Sequence, residues 1–269
     1  MTGLPGPLVS SAWLAAHLDE VRVVDVRWYL NGPSGRVAYR SGHLPGAVWL
    51  DVDAELSGWA SPAAGRHPLP SAAHFAAVLS RVGIAEGTPV VAYDDTGGST
   101  ATRLWWMLHV LGEPAAVLDG GLGGWSGPLD TEPPDVQPVE RAVREWPAAR
   151  FVSADDVAKS GAAVYDARTA ARFAHGDPAI DPRPGHIPGA FSAPWAANLD
   201  ADAKLLSPPE LREIYADALD RGAIAYCGSG VTACLDLLGM ELAGVRDIAL
   251  YAGSWSQWAS DPSRPIEEG

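Results

Sequence analysis

One stretch of the 269-residue chain combines residue types that could do chemistry: Cys227-Gly228-Ser229-Gly230-Val231-Thr232. Ile224, Ala225 and Tyr226 before it end an apolar run that reads as a buried strand. From Val231 onward Leu235, Leu238 and Leu242 recur at helical spacing, thickened by Ala233, Cys234 and Leu237. The cysteine thus stands at the hinge of a strand-turn-helix unit. Its glycines permit a tight bend, and the helix adds free N–H groups and the positive end of its dipole. A nest of this kind, running through Gly228, Gly230, Val231 and Thr232, is expected to hold a thiolate and bind an anionic substrate. The plain alternative is an inert thiol beside a glycine turn. Cys234, inside the helical run, reads as a small core residue. A Cys227–Cys234 redox pair is the competing reading, and two helical turns is a poor spacing for it.

A nucleophilic cysteine ringed by amides, with arginine nearby and no base evident from spacing, suits attack on sulfur or phosphorus. Peptide hydrolysis fits poorly, because a proton must reach the leaving amine. Phosphoryl transfer is the natural rival, but phosphatase loops place an arginine just after the loop glycine, where Val231 and Thr232 stand.

The surrounding pattern predicts two copies of one plan. In the first, a helix capped by Ser10 or Ser11 precedes a strand at Val21–Arg27. The turn Gly42-His43-Leu44-Pro45-Gly46-Ala47 and a strand at Val48–Leu50 follow. After a long surface excursion through Pro62, Gly65, Pro68 and Pro70, Ser71 caps a helix. A strand to Tyr93, a helix over Thr100–Leu111 and a strand over Ala115–Leu118 complete the copy. In the second half, Gly185-His186-Ile187-Pro188-Gly189-Ala190 answers the first histidine turn, and Gly253–Trp258 answers the glycine-tryptophan ending of the first copy at Asp119–Trp125. So long a period is a domain duplication. It gives residues 1–125 as a catalytically silent domain, 126–150 as a proline-rich linker and 151–269 as the catalytic domain. Alternating strands and helices predict, for each, a parallel sheet covered by helices on both faces. Ligands of such sheets bind beyond the carboxyl ends of the strands, where Cys227 is placed.

The two copies also differ. Asp94 stands where Cys227 does, so the first cradle carries carboxylates instead of a thiol. Arg168 has a counterpart in Arg27, which predicts a shared structural ion pair. Arg172 aligns with Asn31 and belongs only to the half with the cysteine, leaving substrate binding and a solvated surface as its two readings. Arg183 precedes His186 as Arg40 precedes His43. Because both halves carry the histidine, His186 is expected to lock the turn by bonding Asp166 or turn carbonyls.

A formal charge of −14 argues against nonspecific nucleic-acid binding, and means that an anionic substrate needs a locally positive pocket. No run reaches transmembrane length, and the start lacks the basic-then-apolar order of a signal peptide. Two cysteines make no disulfide framework, so the cytoplasm is the expected location.

Taken together, the two histidine turns, Asp166 with Arg172-Phe173, the Cys227–Ala233 loop and the Tyr251–Trp258 ending resemble the rhodanese superfamily in its two-domain sulfurtransferase form. The resemblance implies tandem rhodanese-like domains and a Cys227 that becomes a persulfide and passes sulfur on. The acceptor would be cyanide or a thiol, either small or on a thioredoxin-like protein. The resemblance also implies that Arg172, with Arg183 as the second arginine, holds a small anionic donor, and that Ser229 assists the leaving group. His43 would match a first-domain histidine that some members recruit. No cofactor or metal is implied. Cys-Gly-Ser-Gly-Val-Thr is the loop form of 3-mercaptopyruvate enzymes, whereas thiosulfate-preferring members carry Cys-Arg-Lys-Gly-Val-Thr. The insertions around Asn31-Gly32 and Gly65–Pro70 resemble proteins labelled thiosulfate sulfurtransferases, so both donors stand as expectations. The other readings are a cysteine-dependent phosphatase and a non-catalytic sulfur-carrier or binding module.

Overall fold

The computed structural model describes residues 3–269. The chain divides into two compact units. The first comprises the chain up to Ser57, Pro70–Trp146 and Ala201–Leu205; the second comprises Gly58–Leu69, Pro147–Asp200 and Leu206–Gly269.

In the first unit, β1 (Leu8–Val9), β2 (Arg22–Asp25), β3 (Val48–Trp49), β4 (Val90–Tyr93) and β5 (Ala115–Leu118) form one parallel sheet in the order β1-β5-β4-β2-β3. Helices α1 (Ser11–Ala16), α2 (Gly35–Ser41), α3 (Ala72–Arg81) and α4 (Ala101–His109) connect the strands. Ser10 and Ser71 cap α1 and α3 with their side chains, as their position before the helical runs predicts. Ser34 caps α2, and Gly42 ends it. The core joins Leu14, Val23, Leu44, Val91, Tyr93 and Leu118.

In the second unit, β6 (Ala163–Asp166), β7 (Phe191–Ser192), β8 (Ala223–Tyr226) and β9 (Ile248–Leu250) form a parallel sheet in the order β7-β6-β8-β9. Phe151 bridges Leu250 in parallel, the place β1 holds beside β5. The helices are α5 (Ala154–Lys159), α6 (Ala170–His175), α7 (Pro208–Ile214), α8 (Ala233–Ala243) and α9 (Ser254–Trp258). Residues Ala233 through Met240 are buried, so α8 is enclosed all round instead of presenting the single apolar stripe that its leucines suggest. Fully burying one such leucine is worth roughly 1.5–3 kcal/mol. Trp255 and Trp258 pack with Ile187, Ile224, Tyr226 and Tyr251.

Two segments cross the expected division. Gly58–Leu69 belongs to the second unit although it precedes α3 in sequence. The proline-rich stretch read as a linker runs along the first unit instead: Asp130 pairs with His43, Val139 N–H donates to Ser80 O, and Trp146 Nε1 donates to Pro70 O.

The duplication extends to side chains. Arg27 forks onto Asp25 and donates to Gly42 O, and Arg168 forks onto Asp166 and donates to Gly185 O. The expected shared ion pair is present in both copies.

Candidate active site

Strand β8 delivers Cys227 at its carboxyl end, just before α8. The residue is only 2% exposed. Its Sγ accepts hydrogen bonds from the Ser229 amide at 3.4 Å and the Gly230 amide at 3.1 Å. Burial pushes the thiol pKa up. The Thr232 hydroxyl and the amides of Ser229, Ala233 and Gly230 outweigh that, and the net pKa lies below the ordinary thiol value.

The loop is clamped from α9. Cys227 N–H donates to Ser254 Oγ at 3.2 Å, while Trp255 and Ser256 amides donate to the carbonyls of Cys227 and Gly228, each at 3.0 Å. Ser254 holds φ near +52°, a conformation disfavoured for a residue with a Cβ, and it serves this clamp. Gly230 has φ near +80°, and a Cβ there would stand 2.5 Å from the Ala252 carbonyl oxygen. Only glycine fits.

The segment Gly58–Leu69 supplies two further groups. His67 Nδ1 lies 2.7 Å from Ser229 Oγ. Arg66 N–H donates to Ser256 Oγ at 3.0 Å, and its Nη1 donates to Ile180 O at 2.7 Å. Burial lowers the Arg66 pKa, and the charge of Cys227 works the other way. A Cβ at position 228 would stand 2.7 Å from Arg66 Nη2 and 3.0 Å from Arg172 Nη2. The glycine therefore leaves room for two guanidinium groups.

Arg172 lies on α6, whose cap Thr169 accepts from the Arg172 amide. Ser34 accepts equivalently from Val37 at the start of α2, so matching the helix caps pairs Arg172 with Val37 instead of Asn31. Asp181 holds the Arg172 fork, Nε to Oδ2 at 2.9 Å and Nη2 to Oδ1 at 2.5 Å.

Other residues expected at the site lie elsewhere. The Arg183 guanidinium is committed to the carbonyls of Ala259, Asp261 and Arg264, at 2.9, 3.0 and 3.1 Å, and ties down the C-terminal turn. His43 is buried in the first unit, its ring stacked on Tyr39 at 3.8 Å and its Nδ1 2.8 Å from Tyr39 O. His186 repeats this with Phe173, at 3.6 Å and 3.1 Å, so it locks its turn through a carbonyl and not through Asp166. His67, not His43, is the first-half histidine that meets the loop. The sequence signal for it was Gly65-Arg66-His67-Pro68, two side chains able to carry positive charge in a proline-flanked insertion of an acidic chain.

Beneath the loop, Asp236 of α8 accepts from Asn198 Nδ2 at 2.9 Å, and Tyr215 donates to Asn198 Oδ1 at 2.7 Å. Complete burial, then the charge of Cys227, push the Asp236 pKa well up.

In the first unit the corresponding cradle is filled by its own side chain. Asp94 Oδ1 accepts from the amides of Thr96 and Gly98, and Oδ2 from those of Thr100 and Ala101 and from the Thr100 hydroxyl. The carboxylate occupies the place an anion would take. Among the described residues no cluster of His, Cys, Asp and Glu could hold a metal, and no helix is long and apolar enough to cross a membrane.

The rhodanese-like domain family matches residues 10–128 and 153–261, and the chain belongs to this family. It is a sulfurtransferase with tandem rhodanese-like domains and a cysteine-bearing loop at residues 227–233. A Pseudomonas aeruginosa protein named "Probable 3-mercaptopyruvate sulfurtransferase" is 40% identical over 97% of this chain and 98% of its own. A Mycobacterium tuberculosis protein, "Putative thiosulfate sulfurtransferase SseB", is 37% identical over 97% of each. The crystal structure of the 3-mercaptopyruvate sulfotransferase SseA from Escherichia coli superposes with a TM-score of 0.81 at 32% identity, over 93% of this chain and 98% of that one.

Proposed function

We propose that the sulfur donor is 3-mercaptopyruvate and that sulfur leaves the enzyme on a thiol or cyanide. The Cys227 thiolate attacks the donor sulfur, the carbon–sulfur bond breaks, and its electron pair passes to the pyruvate enolate. The enolate takes up a proton to become pyruvate, and Cys227 is left as a persulfide. The acceptor then attacks the outer sulfur and releases the Cys227 thiolate.

The observation that carries this reading is the His67–Ser229 hydrogen bond beside Cys227. An enolate needs a proton, and a hydroxyl backed by imidazole can deliver one. Sulfite leaving from thiosulfate needs none. The Pseudomonas relative's name supports the same donor.

Thiosulfate is the second reading. The mycobacterial relative is named for it, and the two guanidinium groups beside Gly228 give the site charge that the Gly-Ser pair itself lacks. Steady-state kinetics with both donors and one thiol acceptor decides between them. A higher kcat/KM with thiosulfate would overturn the proposal.

A further inference from the structure

We infer that Asp236 is a positioning residue for sulfur release: held as a neutral acid beneath the cysteine loop, it keeps a second negative charge away from Cys227 while the thiolate leaves its persulfide. The inference rests on the reading of Cys227 as the sulfur carrier and extends it to the groups under the loop.

Helix geometry puts Asp236 under the nucleophile. The Thr232 hydroxyl and the Ala233 amide bond Cys227 Sγ at the start of α8. Asp236 follows them by four and three residues, so it lies on the same face one turn, about 5.4 Å, deeper. The side chain is fully buried in a polar nook. Asn198 Nδ2 donates to Trp195 O at 3.1 Å and to Asp236 Oδ1 at 2.9 Å, which fixes the orientation of the amide. Tyr215 gives its hydrogen to Asn198 Oδ1 at 2.7 Å. Gly239 makes room for that amide, since a Cβ there would stand 2.3 Å from Asn198 Oδ1.

These contacts suit the acid and not the carboxylate. Asp236 Oδ1 accepts from Asn198, but Oδ2 is buried with no hydrogen-bond partner. An ionised Oδ2 would be stripped of water without a donor to replace it. The neighbouring Tyr215 hydroxyl has given its hydrogen to Asn198, so it can accept from a protonated Asp236 but not donate to an ionised one. The surrounding charges act the same way. From β8 comes Cys227, and from β6 comes Asp166, already paired with Arg168. Tyr215 follows α7 with Tyr165 edge-on beside it, and β9 offers only Ile248, Ala249 and Leu250. Among the described residues no cation pairs with Asp236.

The consequence falls on the second half of the reaction. When the acceptor attacks the outer sulfur, the sulfur–sulfur bond breaks and its electron pair returns to Cys227 Sγ. A thiolate of lower pKa leaves faster. A carboxylate one turn below would repel that electron pair and slow the release.

The test loads Cys227 with sulfur from mercaptopyruvate or thiosulfate near neutral pH and removes the donor. Discharge to cyanide is then followed from about pH 6 to about pH 10 in the parent and in Asp236→Asn. Cyanide ionisation acts on both proteins alike, so the variant-to-parent rate ratio isolates residue 236. That ratio should rise by about 3-fold or more across the range, as the parent alone gains a carboxylate under the loop. A ratio that stays constant or falls with pH overturns the inference. Infrared spectra of the parent near neutral pH give a second measurement, which holds even where the variant fails to fold. A protonated-carboxyl band should persist where ordinary carboxyls are ionised, and its absence overturns the inference. Absence of added sulfur on Cys227 from either donor, read by mass spectrometry, would instead overturn the functional reading, together with this extension of it.

Discussion

His67 Nδ1 and Ser229 Oγ lie 2.7 Å apart, across 162 residues of sequence. In the reaction proposed above, the loop hydroxyl is one end of a proton path. His67→Phe and Ser229→Ala should each slow persulfide formation from mercaptopyruvate by about 100-fold or more. With thiosulfate the same variants should lose less than about 5-fold, because sulfite departs without a proton. Single-turnover persulfide formation, followed by mass spectrometry, reads both donors. Equal losses with both would remove the proton path from the mechanism.

Thr232 ranks first among the groups that lower the Cys227 pKa. Thr232→Val should therefore shift the pH midpoint of Cys227 alkylation upward. In the parent that midpoint should lie below the free-thiol reference of about 8.5. Iodoacetamide inactivation measured across pH checks both, and a parent midpoint at or above that reference would contradict the hydrogen-bonded loop.

The Asp94 carboxylate accepts from four amides and lies 3.0 Å from the Thr100 hydroxyl, which also bonds Val26 O at 2.7 Å. Asp94→Ala leaves the buried amides of Gly98, Thr100 and Ala101 without this acceptor, and should cost about 3 kcal/mol or more of folding stability. Urea unfolding of the intact chain gives the value. A loss below about 1 kcal/mol would mean that water replaces the carboxylate there.

Asp236 should make stability depend on pH in a predictable direction. Unfolded, its pKa is near the reference of about 3.9; folded, burial holds it protonated well above that. The folded state thus binds the extra proton, and this residue's contribution falls as pH rises from about 4 toward the folded pKa. Asp236→Asn removes the penalty, so it should be more stable than the parent at neutral pH, with the difference shrinking toward pH 4. Urea midpoints at several pH values test the sign, and a variant less stable at pH 7 than at pH 4 relative to the parent would reverse it.

Much of this molecule is local, and the sequence carried it. Cys227 at the end of an apolar run, with glycines on both sides of Ser229, already specified a strand-turn-helix and a thiolate nest, because bend, helix start and amide donors all arise from neighbouring residues. The duplication was legible for the same reason: Asp25 with Arg27 and Asp166 with Arg168 sit two residues apart, and each pair closes on its own histidine turn. Tertiary structure alone decided which distant side chains meet the loop. His67 and Arg66 lie in an insertion without periodic pattern, and only the attachment of Gly58–Leu69 to α9, through Ser256 and the Gln257 contact with Ala63, brings them to Ser229 and Gly228. Arg183 fails in the opposite sense. The family resemblance put it at the substrate, but the C-terminal turn presents carbonyls that hold its guanidinium, and such contacts between remote segments leave no spacing to read.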